Sequence, residues 1–306
     1  MPDKYLIVVG GPTGVGKTKV AIELAQHYHA EIVNADSRQV YKELNIGVGK
    51  PTTQQLQSIP HHLIGHVSIH DPYSAGQYAK DAMAVLNTLF TKKKIVILSG
   101  GTGLYLKAIM QGLDEFPDVP EEIVKRWTAI WKKEGIESLI QALQKSDPNY
   151  LQVVDRDNPM RLIRALSVCE FSGKPFSSFH LNAPIERNFK IIPILLERPR
   201  DELYARIDQR VLDMMDQGWM DEARELYPFH SLKSLNTVGY KELFEVLDGK
   251  MTVADAIPKI QQSTRNYAKR QLTWWRHQGH WQSFSPLNIN AIIDAISKEH
   301  GAWSME

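Results

Sequence analysis

The segment Gly11-Pro12-Thr13-Gly14-Val15-Gly16-Lys17-Thr18 constrains this chain more than any other. It follows directly on the apolar run Tyr5-Leu6-Ile7-Val8-Val9 and leads into Val20-Ala21-Ile22-Glu23-Leu24-Ala25. Strand, glycine-rich loop and helix start arrive in the order that the G-x-x-x-x-G-K-[ST] pattern of a phosphate loop requires. The glycines let successive backbone N–H groups turn inward on an anion, and the helix that follows aims the positive end of its dipole at the same place. Gly11, Pro12, Thr13, Gly14, Val15, Gly16, Lys17 and Thr18 are therefore the expected phosphate- or diphosphate-binding residues. Lys17 adds a mobile positive charge, and Thr18 offers a hydroxyl to a magnesium ion. The loop alone does not say which phosphate compound it holds.

After the first helix, Glu31-Ile32-Val33-Asn34-Ala35 reads as a second short buried strand that delivers Asp36-Ser37-Arg38-Gln39-Val40-Tyr41 to the carboxyl edge of a parallel sheet. Ligands bind at that edge in open α/β sheets. Ile95-Val96-Ile97-Leu98-Ser99 is the next central strand, and Gly100-Gly101-Thr102-Gly103-Leu104-Tyr105 after it is a second glycine turn entering a helix. Alternation of this kind predicts a doubly wound α/β fold, a parallel sheet flanked by helices of the P-loop type. No strand ends in the apolar-apolar-Asp pattern of a separate magnesium carboxylate, which leaves Asp36 as the best carboxylate near the loop. Gly47–Pro51 and Pro60–His66 read as loops. His61, His62, His66 and His70 lack cysteine or carboxylate partners at a known ligand spacing, so they predict no metal centre.

From about Asp114 the texture changes. Phe116-Pro117-Asp118-Val119-Pro120 is a stiff connector, and helical patterns cover 123–133, 136–144 and 159–171 with no strand between them. The expected organisation is a first part of the core over 1–114, an all-helical insertion over 115–185, and completion of the core with basic C-terminal helices over 186–306. Asn158-Pro159 is a cap followed by a first-turn proline, which places Arg161 and Arg164 near one helix start. The sheet resumes at Phe189–Leu196, where Pro193 predicts an edge position or a bulge. Arg206 and Arg210 are four apart on the next helix and form a candidate anion clamp.

Formal net charge is only +1, so any nucleic-acid surface must come from uneven placement of charge. The chain supplies it late. Between Asp255 and Asp294 there is no acidic residue, while Lys259, Arg265, Lys269, Arg270 and Arg276 occur among Tyr267, Trp274, Trp275 and Trp281. Arg265 and Lys269 share one helix face, and Tyr267, Gln271 and Trp274/Trp275 another. Such a cationic, aromatic surface suits a nucleic-acid backbone and unstacked bases. The single cysteine, Cys169, has apolar helical neighbours and reads as a small buried residue. No signal-type segment precedes the phosphate loop, and no apolar run approaches the ~20 residues of a membrane span. A soluble, cytoplasmic protein that makes no membrane contact is expected.

These motifs jointly resemble the tRNA dimethylallyltransferase (IPP transferase) family of bacterial type. The resemblance is carried by Gly11–Thr18, Asp36–Tyr41, Pro60–Ile64, Gly100–Tyr105, Asn158–Leu166, Arg206–Arg210, Thr237–Glu242 and Thr264–Trp274, which span most of the chain. It departs at Val48-Gly49, where the family usually has Thr-Ala, and at Gly65, where Asp is usual. The resemblance implies transfer of a dimethylallyl group from dimethylallyl diphosphate to the exocyclic N6 amine of the adenosine 3′ of the anticodon in tRNA. It implies diphosphate and Mg2+ on the loop, with Thr18 the metal ligand, and Arg206 or Arg210 against the leaving charge. Asp36 would then be the base, with Thr13 beside it. Contacts to the tRNA anticodon stem-loop would come from Asp36, Ser37, Arg38, Gln39, Thr102, Asn158, Pro159, Met160, Arg161, Arg164, Arg265, Lys269 and Arg270. The enzyme is expected to act as a monomer. A small-molecule P-loop kinase, a nucleotide-gated RNA-binding protein and prenyl transfer to free adenosine phosphates are the alternatives. The kinase gives no reason for the acid-free segment, the binding protein none for Asp36, and free adenosine phosphates none for a large cationic surface.

Overall fold

A strand that is apolar on both faces has to lie inside a sheet covered on both sides, and Tyr5–Gly10 (β1) is buried along its whole length. The computed structural model describes residues 4–180 and 185–299. From β1 the chain runs through α1 (Lys17–His27), β2 (Ile32–Asn34), α2 (Thr53–Ser58), β3 (His61–His62), α3 (Ala75–Leu89), β4 (Ile95–Ser99) and α4 (Gly103–Met110). Four helices follow without a strand: α5 (Glu121–Glu134), α6 (Ile136–Ser146), α7 (Pro148–Val153) and α8 (Pro159–Ser172). The sheet then resumes with β5 (Lys190–Leu196), α9 (Arg200–Asp216), α10 (Trp219–Leu226), α11 (Tyr240–Leu247), α12 (Val253–Arg276), β6 (Gln282–Phe284) and α13 (Ile289–Glu299).

The six strands are parallel, in the order β3-β2-β4-β1-β5-β6. Because β1 lies between β4 and β5, the glycine loops that end β1 and β4 emerge side by side at the carboxyl edge. Apolar clusters cover both faces of the sheet, one built on Leu6, Val8, Val96 and Leu98, the other on Ile7, Val9, Leu24 and Ile194. Two strands differ from the sequence expectation. His61-His62 reads as loop but pairs with Ile32 and Val33, and β6 carries no signal of its own; elements of two and three residues are too short to show alternation. Pro193 is only partly at an edge. At Pro193, β5 has β1 on one side and no strand on the other, and pairing with β6 begins one residue later at Ile194.

The chain divides into two compact units, one made of the residues up to Gln111 together with those from Glu186 on, the other Gly112–Ile185. The second has its own core of Leu139, Leu143, Leu162, Leu166 and Phe176. In it, buried Asp147 caps α7 through Tyr150 N (3.0 Å) and accepts from Ser177 N (2.6 Å) and Ser177 Oγ (2.9 Å). Cys169 is buried in the same core, which pushes its thiol pKa up, as a packing residue requires. Among the described residues no helix is long and apolar enough to cross a membrane.

Candidate active site

The phosphate loop bends where only glycine bends without strain: Gly14 and Gly16 have φ of 79° and 114°. Behind it, Lys17 Nζ donates to Gly11 O (3.0 Å) and Pro12 O (2.9 Å), so the ammonium is held over the loop. Burial pushes the Lys17 pKa down to about 8; the attraction of Asp36 opposes this and the repulsion of Arg210 adds to it. Burial likewise lowers the Arg210 pKa, with Asp36 opposing and Arg206 assisting. Lys17 and Asp36 face one pocket at the carboxyl edge of the sheet. Lys17, Thr18, Asn34, Asp36, Gln39 and Gly100 line the pocket at this edge. The Thr18 hydroxyl and Asp36 Oδ2 have no hydrogen-bond partner among the described residues, whereas Oδ1 of Asp36 accepts from Arg38 N (2.8 Å) and Gln39 N (3.3 Å). That turn fixes the carboxylate and leaves its second oxygen for chemistry.

The residues after Asp36 build the pocket wall. Ser37 N donates to Thr102 Oγ1 (2.9 Å), which in turn donates to Ser37 Oγ (3.2 Å). The Arg38 guanidinium donates to Ser234 O (2.9 Å), and Gln39 Nε2 donates to Val48 O (3.2 Å) and Gly49 O (3.0 Å). Gly100 has to be glycine, since a Cβ there would sit 2.1 Å from Ala35 O. Arg206, exposed on α9, donates to Gly14 O (3.0 Å), and half-buried Arg210 donates to Gly49 O (3.4 Å). The departure at Val48-Gly49 therefore has a local consequence: a Cβ on Gly49 would lie 1.7 Å from Arg210 Nη2.

On α12 the cationic residues separate. Lys269 and Arg270 are exposed. Arg265 pairs with Asp208 of α9 and donates to Gln262 Oε1 (2.8 Å), so its charge is neutralised within the protein. The aromatic residues separate too. Trp275 is buried at 2% exposure, packed edge-on to Trp281 and against Gly10, so it is core, not a stacking platform. Tyr267 is the aromatic that reaches outward, beneath the Arg270 guanidinium at 5.8 Å from its ring centre. Loss of hydration and then the Asp36 charge push its phenol up to about 12, with Arg38 and Arg270 opposing. Asn158 caps α8 by accepting from Arg161 N (3.3 Å) ahead of Pro159, and Met160, Arg161 and Arg164 are exposed in the helical unit. Among the described residues no cluster of histidine, cysteine and carboxylate could hold a metal ion. A hard oxygen donor such as Thr18 Oγ1 does fit Mg2+, which is bound by few protein oxygens together with substrate phosphates.

Three residues of the site are not among the candidates that the sequence supplies. Arg198 Nε donates to Val15 O (2.9 Å) from beneath the loop while its guanidinium pairs with Glu202. Glu222 accepts from the N–H groups of Asn45 (3.1 Å), Ile46 (2.8 Å) and Gly47 (3.0 Å), and from the buried Tyr240 hydroxyl. It thereby holds the loop whose carbonyls receive Gln39 and Arg210. The third is Gln271, which contacts both glycine loops.

A sequence model of the family described as IPP transferase matches residues 39–278. A tRNA dimethylallyltransferase of Christiangramia forsetii is 49% identical over 297 residues, covering 96% of this chain and 98% of that protein. Another, tRNA dimethylallyltransferase 1 of Phocaeicola vulgatus, is 45% identical and covers 97% and 98%. Among solved structures, the tRNA isopentenylpyrophosphate transferase of Bacillus halodurans superposes with a TM-score of 0.71 at 31% identity, covering 97% of each chain. A eukaryotic dimethylallyltransferase acting on tRNA gives 0.81 at 27% identity, covering 96% of this chain and 78% of that one.

Proposed function

The chain belongs to the IPP transferase family, and from that premise we propose that it transfers a dimethylallyl group from dimethylallyl diphosphate to the N6 amine of the adenosine at position 37 of tRNA. The products are N6-isopentenyladenosine and diphosphate. The observation that carries this reading is that Lys17 and Asp36 line one pocket at the phosphate loop, whose backbone Arg206 also meets at Gly14 O: cations for a leaving diphosphate, one carboxylate for a proton. The N6 lone pair forms the new bond to C1 of the dimethylallyl group while the C1–O bond breaks, its electron pair leaving on the diphosphate. N–H groups of Gly14–Thr18, Lys17, and Arg206 and Arg210 of α9 meet that charge. Asp36 Oδ2 takes the N6 proton as the N–C bond forms, since an exocyclic amine is too weak an acid to ionise first. Thr13, in the adjacent loop, orients a diphosphate oxygen. Thr18 is the residue that would hold Mg2+, which when bound would neutralise part of the diphosphate charge. The adenine leaves its stack to enter, at a cost of about a few kcal/mol that is least for an unpaired loop base.

Lys269, Arg270 and Tyr267 on α12 are proposed tRNA-facing residues, as are Met160, Arg161 and Arg164 on α8; Arg38, Gln39 and Thr102 shape the pocket wall beside Asp36, and Asn158 caps α8. One chain supplies every group invoked, so a monomer in the cytoplasm suffices. The test is direct: supply dimethylallyl diphosphate labelled in its carbon chain, or labelled ATP, with and without unmodified tRNA. Carbon label should enter RNA and nothing should accept phosphate. Phosphate transfer would revive the kinase reading, and label on free adenosine phosphates the RNA-independent one.

The α12 assignment has its own test. Neutralising Lys269 and Arg270 together should weaken tRNA binding and lower the slope of log K against log salt by about 0.7–0.9 for each phosphate that is no longer neutralised. Arg265→Ala should leave that slope unchanged and cost up to about 1 kcal/mol of stability through its partly exposed pair with Asp208. A slope that moves with Arg265 and not with the other two would reverse the assignment.

A further inference from the structure

The buried face of α12 carries Ala256, Ile260, Ala268 and Trp275, and among them one polar side chain, Gln271, at 8% exposure. A buried primary amide needs both a donor and an acceptor partner. Gln271 has one of each, and they belong to different glycine loops. Its Oε1 accepts from Thr13 N (2.9 Å) in the phosphate loop, and its Nε2 donates to Gly101 O (2.8 Å) in the loop after β4. The orientation of the amide is unambiguous, since a backbone N–H can only donate and a carbonyl only accept.

We propose that Gln271 is a positioning residue of the transfer reaction, setting the phosphate loop and the base-bearing loop in register through a single amide; the inference rests on the transferase reading above. The path is short. Gly101 precedes Thr102, whose hydroxyl accepts from Ser37 N beside Asp36, so the same amide that fixes Thr13 also fixes the residues next to the base. The approach is close enough to exclude a side chain: a Cβ on Gly101 would be 2.7 Å from Gln271 Nε2 and 3.4 Å from Lys17 Nζ. Gln271 reaches the reaction only through Thr13 and Gly101. A displacement of about 1 Å in such a frame is enough to slow a positioned reaction many-fold.

Gln271→Glu tests this through its own titration. Ionised, the glutamate accepts from Thr13 N but sets an anion against Gly101 O and the diphosphate. Protonated, it has the donor and acceptor of the native amide. Burial beside a carbonyl and an anion raises the pKa of a carboxyl from its reference of about 4.3 toward neutrality. Of the charged groups near this corner, Lys17 opposes that rise and Asp36 adds to it, and wild-type enzyme measured over the same pH range is the control for their own titration. At pH 8 the variant's kcat for dimethylallyl transfer should be roughly ten- to a hundredfold low, with a raised KM for dimethylallyl diphosphate and an unchanged KM for a stem-loop RNA. As pH falls to 5.5, the ratio should climb toward one. Gln271→Ala should show a comparable loss with a flat ratio.

A pH-independent ratio for Gln271→Glu, or a variant that is unfolded across the range by circular dichroism, would leave Gln271 an ordinary core residue and overturn the proposal. Wild-type enzyme in the same assay separates the two readings, because a wild type that prenylates no RNA sinks the transferase assignment instead. In that event binding of inorganic diphosphate, measured calorimetrically for both proteins over the same pH range, still decides the positioning role.

Discussion

Asp36→Asn should lower the single-turnover rate of dimethylallyl transfer by roughly 10²–10⁴, the range attributed to a positioned general base. The substitution isolates that role because of how Asp36 is held. Its Oδ1 accepts from Arg38 N and Gln39 N, and an asparagine carbonyl accepts equally well, so the turn and the pocket wall behind it persist. What changes is Oδ2, which becomes an NH2 group with no capacity to take a proton. Dissociation constants for tRNA and for dimethylallyl diphosphate should stay within a few-fold. One secondary effect has to be controlled. Asp36 raises the Lys17 pKa, so its neutralisation deprotonates Lys17 at lower pH, and the comparison belongs at pH 7 or below. Asp36→Ala, which also removes the Oδ1 hydrogen bonds, should bind both substrates less tightly. A variant that turns over nearly as fast as wild type would transfer the proton to water or an RNA phosphate.

The residues that announce this site in the sequence are those whose partners are local. The phosphate loop is continuous with its strand and helix, and Asp36 follows a strand whose neighbours in the sheet can be inferred from the alternation of elements. Gln271 is different: its two partners lie 258 and 170 residues away, and only the packing of α12 on the sheet edge brings them together. A trace was present, since Gln271 interrupts the otherwise apolar stripe of Ala256, Ile260, Ala268 and Trp275, and a polar group on a buried face has to be satisfied. Glu222 left no trace of that kind, because an acidic residue early in a helix is as well explained by the helix dipole. Of the tryptophans of the acid-free segment, Trp275 misled for a related reason. Spacing assigns them to a face, but whether that face meets RNA or core depends on Gly10 and Trp281, which pack against Trp275. Arg265 is likewise a cation by sequence and an interhelical tether by virtue of Asp208.

Lys17→Ala should lose both affinity and rate, and its effect should depend on pH in a way that no other substitution reproduces. The ammonium is held over Gly11 O and Pro12 O, in surroundings that push its pKa down to about 8. Below pH 8 the free enzyme offers a charged lysine to the diphosphate. Above it the free enzyme is neutral there, and binding has to recruit a proton, because the bound anion favours the ammonium. The association constant of dimethylallyl diphosphate should therefore be level from pH 6 to about 7.5 and decline by up to tenfold per unit above pH 8, with proton uptake visible in calorimetry as a dependence on buffer ionisation heat. In Lys17→Ala the charge is absent at every pH. Affinity should be roughly 10²–10³ lower at pH 7, the pH dependence and the proton uptake should vanish, and the transfer rate should fall as well, since the leaving diphosphate gains charge in the transition state. Lys17→Arg keeps a charge that does not titrate in this range, so its affinity should be flat with pH whatever its absolute value. A wild-type affinity that stays level to pH 9.5 with no proton uptake would remove Lys17 from the diphosphate, and Arg206 and Arg210 would then have to carry the leaving charge alone.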